Sequence, residues 1–177
     1  DQRVGRAVVL DEAINIALDP GVAFGTGAHP TTRLCLRWLT ETVTPDADVL
    51  DYGCGSGILA IAAMKLGAQR VCGIDIDPQA VQAAQQNAQQ NSVEITWATA
   101  EEDVAGPAQI VVANILANPL TVLAPLLARL TRPGGQIALS GILVEQADAV
   151  LEAYTPAFKM TRAATDEGWV LLTGRRR

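Results

Sequence analysis

Residues 48–67 read DVLDYGCGSGILAIAAMKLG, and how this stretch is read decides the fold. DVLDYG is a short apolar run ending in glycine, and SGILAIAAMKLG is a helix stopped by Gly67. Gly53, Gly55 and Gly57 occupy the turn between them. Glycine lets a backbone turn tightly and lets a ligand approach with no Cβ in the way. Such a turn alone serves structure as readily as binding. The next strand end tips the balance. RVCGIDID (70–77) places Asp75 22 residues after Gly53, where a carboxylate can accept hydrogen bonds from both hydroxyls of a ribose.

Working outward, the pattern repeats. PQAVQAAQQNAQQN (78–91) is a second helix with proline in its first turn. VEITWAT (93–99) alternates as a strand does, and QIVVAN (109–114) is a buried strand closed by Asn114. A helix begins near Pro119 and ends at the turn RPGG (132–135); QIALSG (136–141) is a fifth strand and VEQADAVLEAYT (144–155) a further helix. AFKMTRAATD and EGWVLLTG, residues 157–174, have no helix between them and form an antiparallel hairpin turning at 166–168. The alternation predicts an α/β fold: a Rossmann-like, doubly wound, seven-stranded, mostly parallel sheet with a C-terminal antiparallel hairpin. Ligands in such sheets bind beyond the carboxyl ends of the strands, where the winding reverses.

Composition narrows the function classes. The 177 residues are 49% hydrophobic and 18% charged, which fits one folded domain spanning 1–177 with a lead-in over 1–21. A net charge of −6 argues against a broad electrostatic grip on nucleic acid, and Arg175–Arg177 reads as a solvated tail. Cys35, Cys54 and Cys72 form no CxxC pair and no cluster with His29, so neither disulfides nor a metal site are expected, and a reducing cytoplasm fits. There is no signal-peptide pattern. Residues 104–128 carry no charge, but Pro107, Asn114, Asn118, Pro119 and Pro125 divide them, so no membrane span is expected. A monomer is the expected state.

GSGILA (55–60) formally matches a dinucleotide fingerprint, which a dehydrogenase would carry. Asp51 and Gly53 extend it to D-x-G-x-G-x-G. That longer motif resembles the first motif of S-adenosylmethionine-dependent methyltransferases, whose sheets also end in an antiparallel strand. LDPGVAFGTGAHPTT (18–32), VLDYGCGSGILAIAAMKLGA, GIDIDPQAVQAAQQNA, VVANILANPL, LSGIL and EGWVLLTG together resemble the catalytic domain of the bacterial ribosomal protein L-eleven methyltransferases. The resemblance runs from about residue 10 to the last residue, and Ala28 stands where that family commonly has threonine.

The resemblance implies a protein methyltransferase. It would use S-adenosyl-L-methionine to methylate lysine side chains, with an N-terminal amine as a further acceptor, of a ribosomal protein substrate. It implies that the loop 22–32 folds over the cofactor, with Phe24, Thr26 and Thr32 as contacts. Pro30 suits a first helical turn, whose free N–H groups favour a carboxylate, and Gly25 and Gly27 would let the loop open and close. Gly53 and Gly55 would present backbone to the methionine portion, Asp75 would bind ribose and Ile76 would lie beside adenine. Glu101, Glu102 or Asp103 would meet the adenine amino group. Asn114 would be catalytic: its side-chain and backbone carbonyls could orient an amine's hydrogens and aim its lone pair at the methyl carbon. Here NILA follows where other amino-group methyltransferases continue with prolines and an aromatic residue.

Plainer readings exist. Thr31 or Thr32 could merely cap a helix, Asn114 could cap the next one, and the acids at 101–103 could be ordinary surface. His29 could pack against the loop, and no base role is assigned to it. The competing functions are a small-molecule or RNA N-methyltransferase and a non-catalytic, cofactor-binding partner subunit. Members of the family carry an N-terminal domain that recognises the ribosomal protein. No stretch here is long enough to supply it, so the expectation is an isolated catalytic domain, a truncated chain or a natural short relative with another substrate.

Overall fold

The computed structural model describes residues 6–10, 14–18 and 29–177. β1 (Arg6–Leu10) and β2 (Ile14–Leu18) form a separate antiparallel pair. α1 (Pro30–Thr42) leads into β3 (Asp48–Tyr52), α2 (Ile58–Lys65), β4 (Arg70–Ile74), α3 (Pro78–Gln90) and β5 (Thr96–Ala98). β6 (Ala108–Asn114), α4 (Ala117–Arg129), β7 (Thr131–Leu143), α5 (Ala147–Tyr154), β8 (Phe158–Asp166) and β9 (Trp169–Arg176) complete the series.

The main sheet has seven strands in the order β5-β4-β3-β6-β7-β9-β8. The first five pair in parallel; β9 and β8 are antiparallel. This is the expected doubly wound sheet with its closing hairpin. β3 is buried along its whole length, and so are six of the eight residues of α2. A helix that is apolar all round has to be enclosed. α3 instead buries only Val81, Ala84, Asn87 and Ala88, and its glutamines face outward. From β3 the chain winds outward through β4 to β5, then returns to pair β6 on the other side of β3. The winding therefore reverses between β3 and β6.

Several expectations change at the element ends. RPGG is not a turn outside the sheet: it lies within β7, where pairing with β6 skips from Ala108↔Thr131 to Ile110↔Gln136. Gly135 is needed in that bulge, because a Cβ there would stand 2.7 Å from Gln109 O. α4 begins at Ala117, ahead of Pro119, because a first-turn proline loses no intrahelical hydrogen bond. The edge strand β5 is only three residues long.

Arg175–Arg177 is not a solvated tail. β9 carries Arg175 and Arg176 into the sheet while Arg175 and Arg177 stay exposed, and Arg175 Nη1 and Arg176 Nη1 donate to Gly134 O and Thr131 O at 3.0 and 2.8 Å. Arg177 N donates to Ala157 O at 2.9 Å. Within the lead-in, Asn91 at the end of α3 pairs with β2 as a strand would. Its Oδ1 accepts from Ala17 N at 2.9 Å, and its Nδ2 donates to Ala17 O at 2.7 Å.

Among the described residues no helix is long and apolar enough to cross a membrane, and the charge-free run divides into β6 and α4. The three cysteines are free, and no metal-binding group of side chains occurs among the described residues.

Trp97 on β5 braces the glycine turn. Its indole lies where a Cβ on Gly73 would come within 2.3 Å, and where one on Gly57 would come within 2.9 Å. Gly73→Ala is therefore expected to destabilise the fold by roughly 1–3 kcal/mol, the range for overpacking a core. Adding Trp97→Leu should recover part of the loss. Thermal melts of the single and double variants check this, and an unchanged melting temperature in Gly73→Ala would refute it.

Candidate active site

The site is built at the carboxyl ends of β3, β4 and β6. Gly53 N and Cys54 N both donate to Ile74 O, at 2.8 and 2.9 Å, which ties the glycine turn to the end of β4. Gly53 has φ 74°, and a Cβ on it would lie 2.6 Å from Ile115 Cγ2. Only glycine fits both the conformation and the space.

Asp75 is already half engaged. Gly55 N donates to its Oδ2 and Asp77 N to its Oδ1, each at 3.0 Å. Each carboxylate oxygen has about two acceptor sites, so both keep one free and the carboxylate is held in a fixed orientation. Beside it Ile76 is 83% exposed, an unusual position for a large aliphatic side chain.

Thr32, Gly53, Gly55, Asp75, Ile76 and Asn114 all line one cavity of about 980 Å³. The acids expected to meet adenine are the described candidates that do not join them. Phe24 and Thr26 lie outside the described residues. Glu101, Glu102 and Asp103 form an exposed 3₁₀ turn, and none of them lines the cavity. The nearest effect is on Tyr52, whose phenol burial pushes up, helped by the charges of Glu101 and Asp75.

Asn114 ends β6 opposite Ser140 of β7. It does not cap the following helix: Leu116 is the cap residue of α4, with no side-chain cap bond. The Asn114 side-chain amide makes no hydrogen bond among the described residues and faces the cavity. The start of α1 is capped by His29, whose Nδ1 accepts from Thr31 N at 3.2 Å and meets Thr31 Oγ1 at 2.7 Å. Thr31 and Thr32 are thus not the cap. Thr32 is buried in the cavity wall.

The C-terminal hairpin closes one side. Its turn residues Glu167 and Gly168 have φ 49° and 83°, the left-handed pair a two-residue hairpin needs. Arg33 Nε and Nη2 each donate to Asp166 at 3.1 Å, fastening this turn to α1. Trp169 then packs edge-on against His29, with ring centroids 5.1 Å apart, and lines the cavity.

A family model described as ribosomal protein L11 methyltransferase (PrmA) matches residues 5–177. The chain belongs to that family. It is 60% identical over 166 residues to the ribosomal protein L11 methyltransferase of Methylobacillus flagellatus, covering 94% of this chain and 56% of that relative. The chain thus spans about half the length of the curated relatives it matches. The crystal structure of a ribosomal protein L11 methylase from Lactobacillus delbrueckii subsp. bulgaricus superposes with a TM-score of 0.85 at 37% identity, covering 92% of this chain and 85% of that one. A 16S rRNA methyltransferase from T. Thermophilus, solved with AdoMet and guanosine, shares the fold. Its TM-score is 0.75 at 23% identity, covering 98% of this chain and 51% of that one.

Among the further residues that line the cavity, Asp51 enters the sequence reading only as part of the glycine motif, and Gly141 and Trp169 enter it with no role. A carboxylate inside the apolar run DVLDYG was a usable signal for Asp51. Nothing local marked the other two. Asp51 is 1% exposed and accepts from Ala60 N at 3.0 Å. Burial pushes its carboxyl up to about 7, the Ala60 N–H opposes this, and the charge of Asp75 adds to it.

The folded chain therefore favours neutral Asp51. Its contribution to stability is complete below the ordinary value of 3.8 and is lost as pH rises through about 7. Asp51→Asn keeps an acceptor for Ala60 without the charge. Without ligand, its stability advantage over the parent is expected to widen by roughly 1–3 kcal/mol between pH 5 and 8. Urea unfolding at the two pH values measures this; a gap that stays flat or narrows would contradict it.

Proposed function

We propose that this domain binds S-adenosyl-L-methionine in the cavity and methylates ribosomal protein L11 on lysine side-chain and N-terminal amino groups. One observation carries the reading. A cradle suited to a nucleoside and an amide without a side-chain partner among the described residues open into the same cavity.

The residues fit that cofactor. Asp75 keeps free acceptor sites for two ribose hydroxyls, and exposed Ile76 offers an apolar face to adenine. The Cβ-free turn at Gly53 admits the methionine portion. No acidic residue stands in the first turn of α1, so its positive end favours the amino acid's carboxylate. The AdoMet in the T. Thermophilus structure supports the same cofactor class. When bound, the cofactor supplies an electrophilic methyl group on a sulfonium.

The protein's part is mainly positioning. Asn114 accepts hydrogen bonds from the amine's N–H groups and fixes the direction of its lone pair. Free lysine titrates near ~10.4, so the attacking amine must first lose a proton. Leu116, Pro119, Leu123 and Trp169 give the cavity an apolar wall, which disfavours an ammonium and enlarges the neutral fraction. The reaction belongs in the cytoplasm, with the enzyme acting as a monomer without a nucleic-acid grip of its own. The grip on the ribosomal protein is assigned to a family N-terminal domain, outside the single catalytic domain 1–177.

Calorimetry with S-adenosylmethionine and with a nicotinamide dinucleotide tests the cofactor, and binding only the latter would overturn the reading. Tritium transfer to free ribosomal protein L11, ribosomes and RNA tests the acceptor, and label only in RNA would reject it. Asp75→Ala is expected to weaken cofactor binding by roughly 1.5–3 kcal/mol, the scale of hydrogen bonds to a charged acceptor. Asn114→Ala should lower turnover more than cofactor affinity; a preserved rate at saturation would remove it from catalysis. Fusing a family N-terminal domain ahead of Asp1 should raise methylation of free ribosomal protein L11 without changing cofactor affinity, because tethering raises the target's effective concentration. Equal efficiency of fused and unfused chains would place recognition within this domain.

A further inference from the structure

The pairing of β7 with β9 breaks between Leu139 and Ile142, leaving Ser140 and Gly141 in an irregular step beside the cavity. Ser140 is fully buried and reaches two neighbours at once. Its carbonyl accepts from Ile115 N at 3.1 Å, and its hydroxyl donates to Thr31 O at 3.2 Å. The first bond holds the chain that follows Asn114. The second holds the first turn of α1, next to Thr32.

Gly141 has φ 88°, and a Cβ on it would stand 2.1 Å from Ile115 O and 2.8 Å from Ile115 C. Backbone cannot yield as a flexible side-chain tip can. On its other side, Ile115 touches the space where a Gly53 Cβ would be, at 2.6 Å. Ile115 is thus clamped between two left-handed glycines, and its position fixes the exit of Asn114 from β6.

We propose that Ser140 and Gly141 are positioning residues for methyl transfer, acting in different directions. Gly141 sets the pose of Asn114 through Ile115, and Ser140 sets the cofactor-facing start of α1 through Thr31. This rests on the proposed function in assigning Asn114 to the amine and Thr32 to the cofactor. The two neighbours therefore have opposite kinetic signatures, which a general structural role would not produce.

The test compares Gly141→Ala and Ser140→Ala with the parent chain. The readouts are the S-adenosylmethionine dissociation constant by calorimetry, turnover of ribosomal protein L11 at saturating cofactor, and nitrogen-edited NMR. In Gly141→Ala, turnover is expected to fall by about tenfold or more, the cost of a small misplacement of a reacting group. Its cofactor affinity should stay within about threefold, and the Asn114 side-chain amide resonance, assigned by its loss in Asn114→Ala, should move. In Ser140→Ala, affinity should weaken by about threefold or more while turnover at saturation is kept, as expected for one lost hydrogen bond.

Equal losses of affinity and turnover in Gly141→Ala, or an unmoved Asn114 resonance, would overturn the proposal. If Gly141→Ala fails to fold, Ser140→Ala decides, and unchanged affinity overturns the assignment. If the parent chain binds no S-adenosylmethionine, the proposed function fails, while the Asn114 resonance still tests the clamp.

Discussion

The reversal of winding between β3 and β6 is the constraint from which the site follows. These strands pair in parallel, Tyr52 beside Ala113, so the next residue on each, Gly53 and Asn114, emerges at the same edge. One strand pairing thus joins the glycine turn to an amide far along the chain. The helices are divided accordingly. Side chains of α1 and α2 pack in one core cluster, and those of α4 and α5 in the other. Neither group of helices covers the carboxyl ends of β3 and β6. The gap is a consequence of topology, and the side chains beside it decide what it can hold.

The final hairpin has a second task besides ending the sheet. β8 is an edge strand with mostly exposed residues, including Lys159 and Arg162, and such charges discourage further strand pairing. The turn before β9 is fastened to α1 through Arg33 and Asp166, and burial opposes this pair less than the bidentate contact favours it, since the Asp166 carboxyl is held below its ordinary range. β9 therefore starts beside the N-terminus of α1, which brings Trp169 onto His29. A segment at the end of the chain becomes a wall of a site whose motifs lie much earlier.

The sequence carried the fold because its signals are local. Glycines at 53, 55 and 57, proline in the first turn of α3 and the left-handed turn at 167–168 each specify backbone directly. The candidate site was legible where a residue closes a strand, as Asn114 does, or directly follows one, as Asp75 does, since sheet topology then determines where it emerges. Gly141 and Trp169 were not legible, because their significance comes from Ile115 and His29, distant in sequence. The arginine run misled for a related reason. Charge blocks at chain ends usually stay loose in water; here β9 orders Arg175 and Arg176, and the guanidinium groups, though Arg175 and Arg177 are exposed, reach carbonyls in β7 and after α5. The acids at 101–103 stand near the edge of the fold, where composition gave no measure of distance from the cavity.

Asp75 and Asn114 divide the proposed work according to their hydrogen bonding. Asp75 is oriented by two backbone amides before any ligand arrives, so its free acceptor sites bind with little further ordering, and that favours affinity. Asn114 has no side-chain partner among the described residues, so its amide stays available to an amine without first breaking a protein hydrogen bond. Its neutrality matters as well. A carboxylate at position 114 would also accept from the amine, but it would stabilise the ammonium and raise its pKa, opposing the proton loss that must precede attack. Asp51, whose carboxyl burial pushes up to about 7, carries less negative charge at the same edge than an exposed carboxylate would. An amide supplies direction without holding the substrate in its unreactive form, which is the selective support for the transition state that raises a rate.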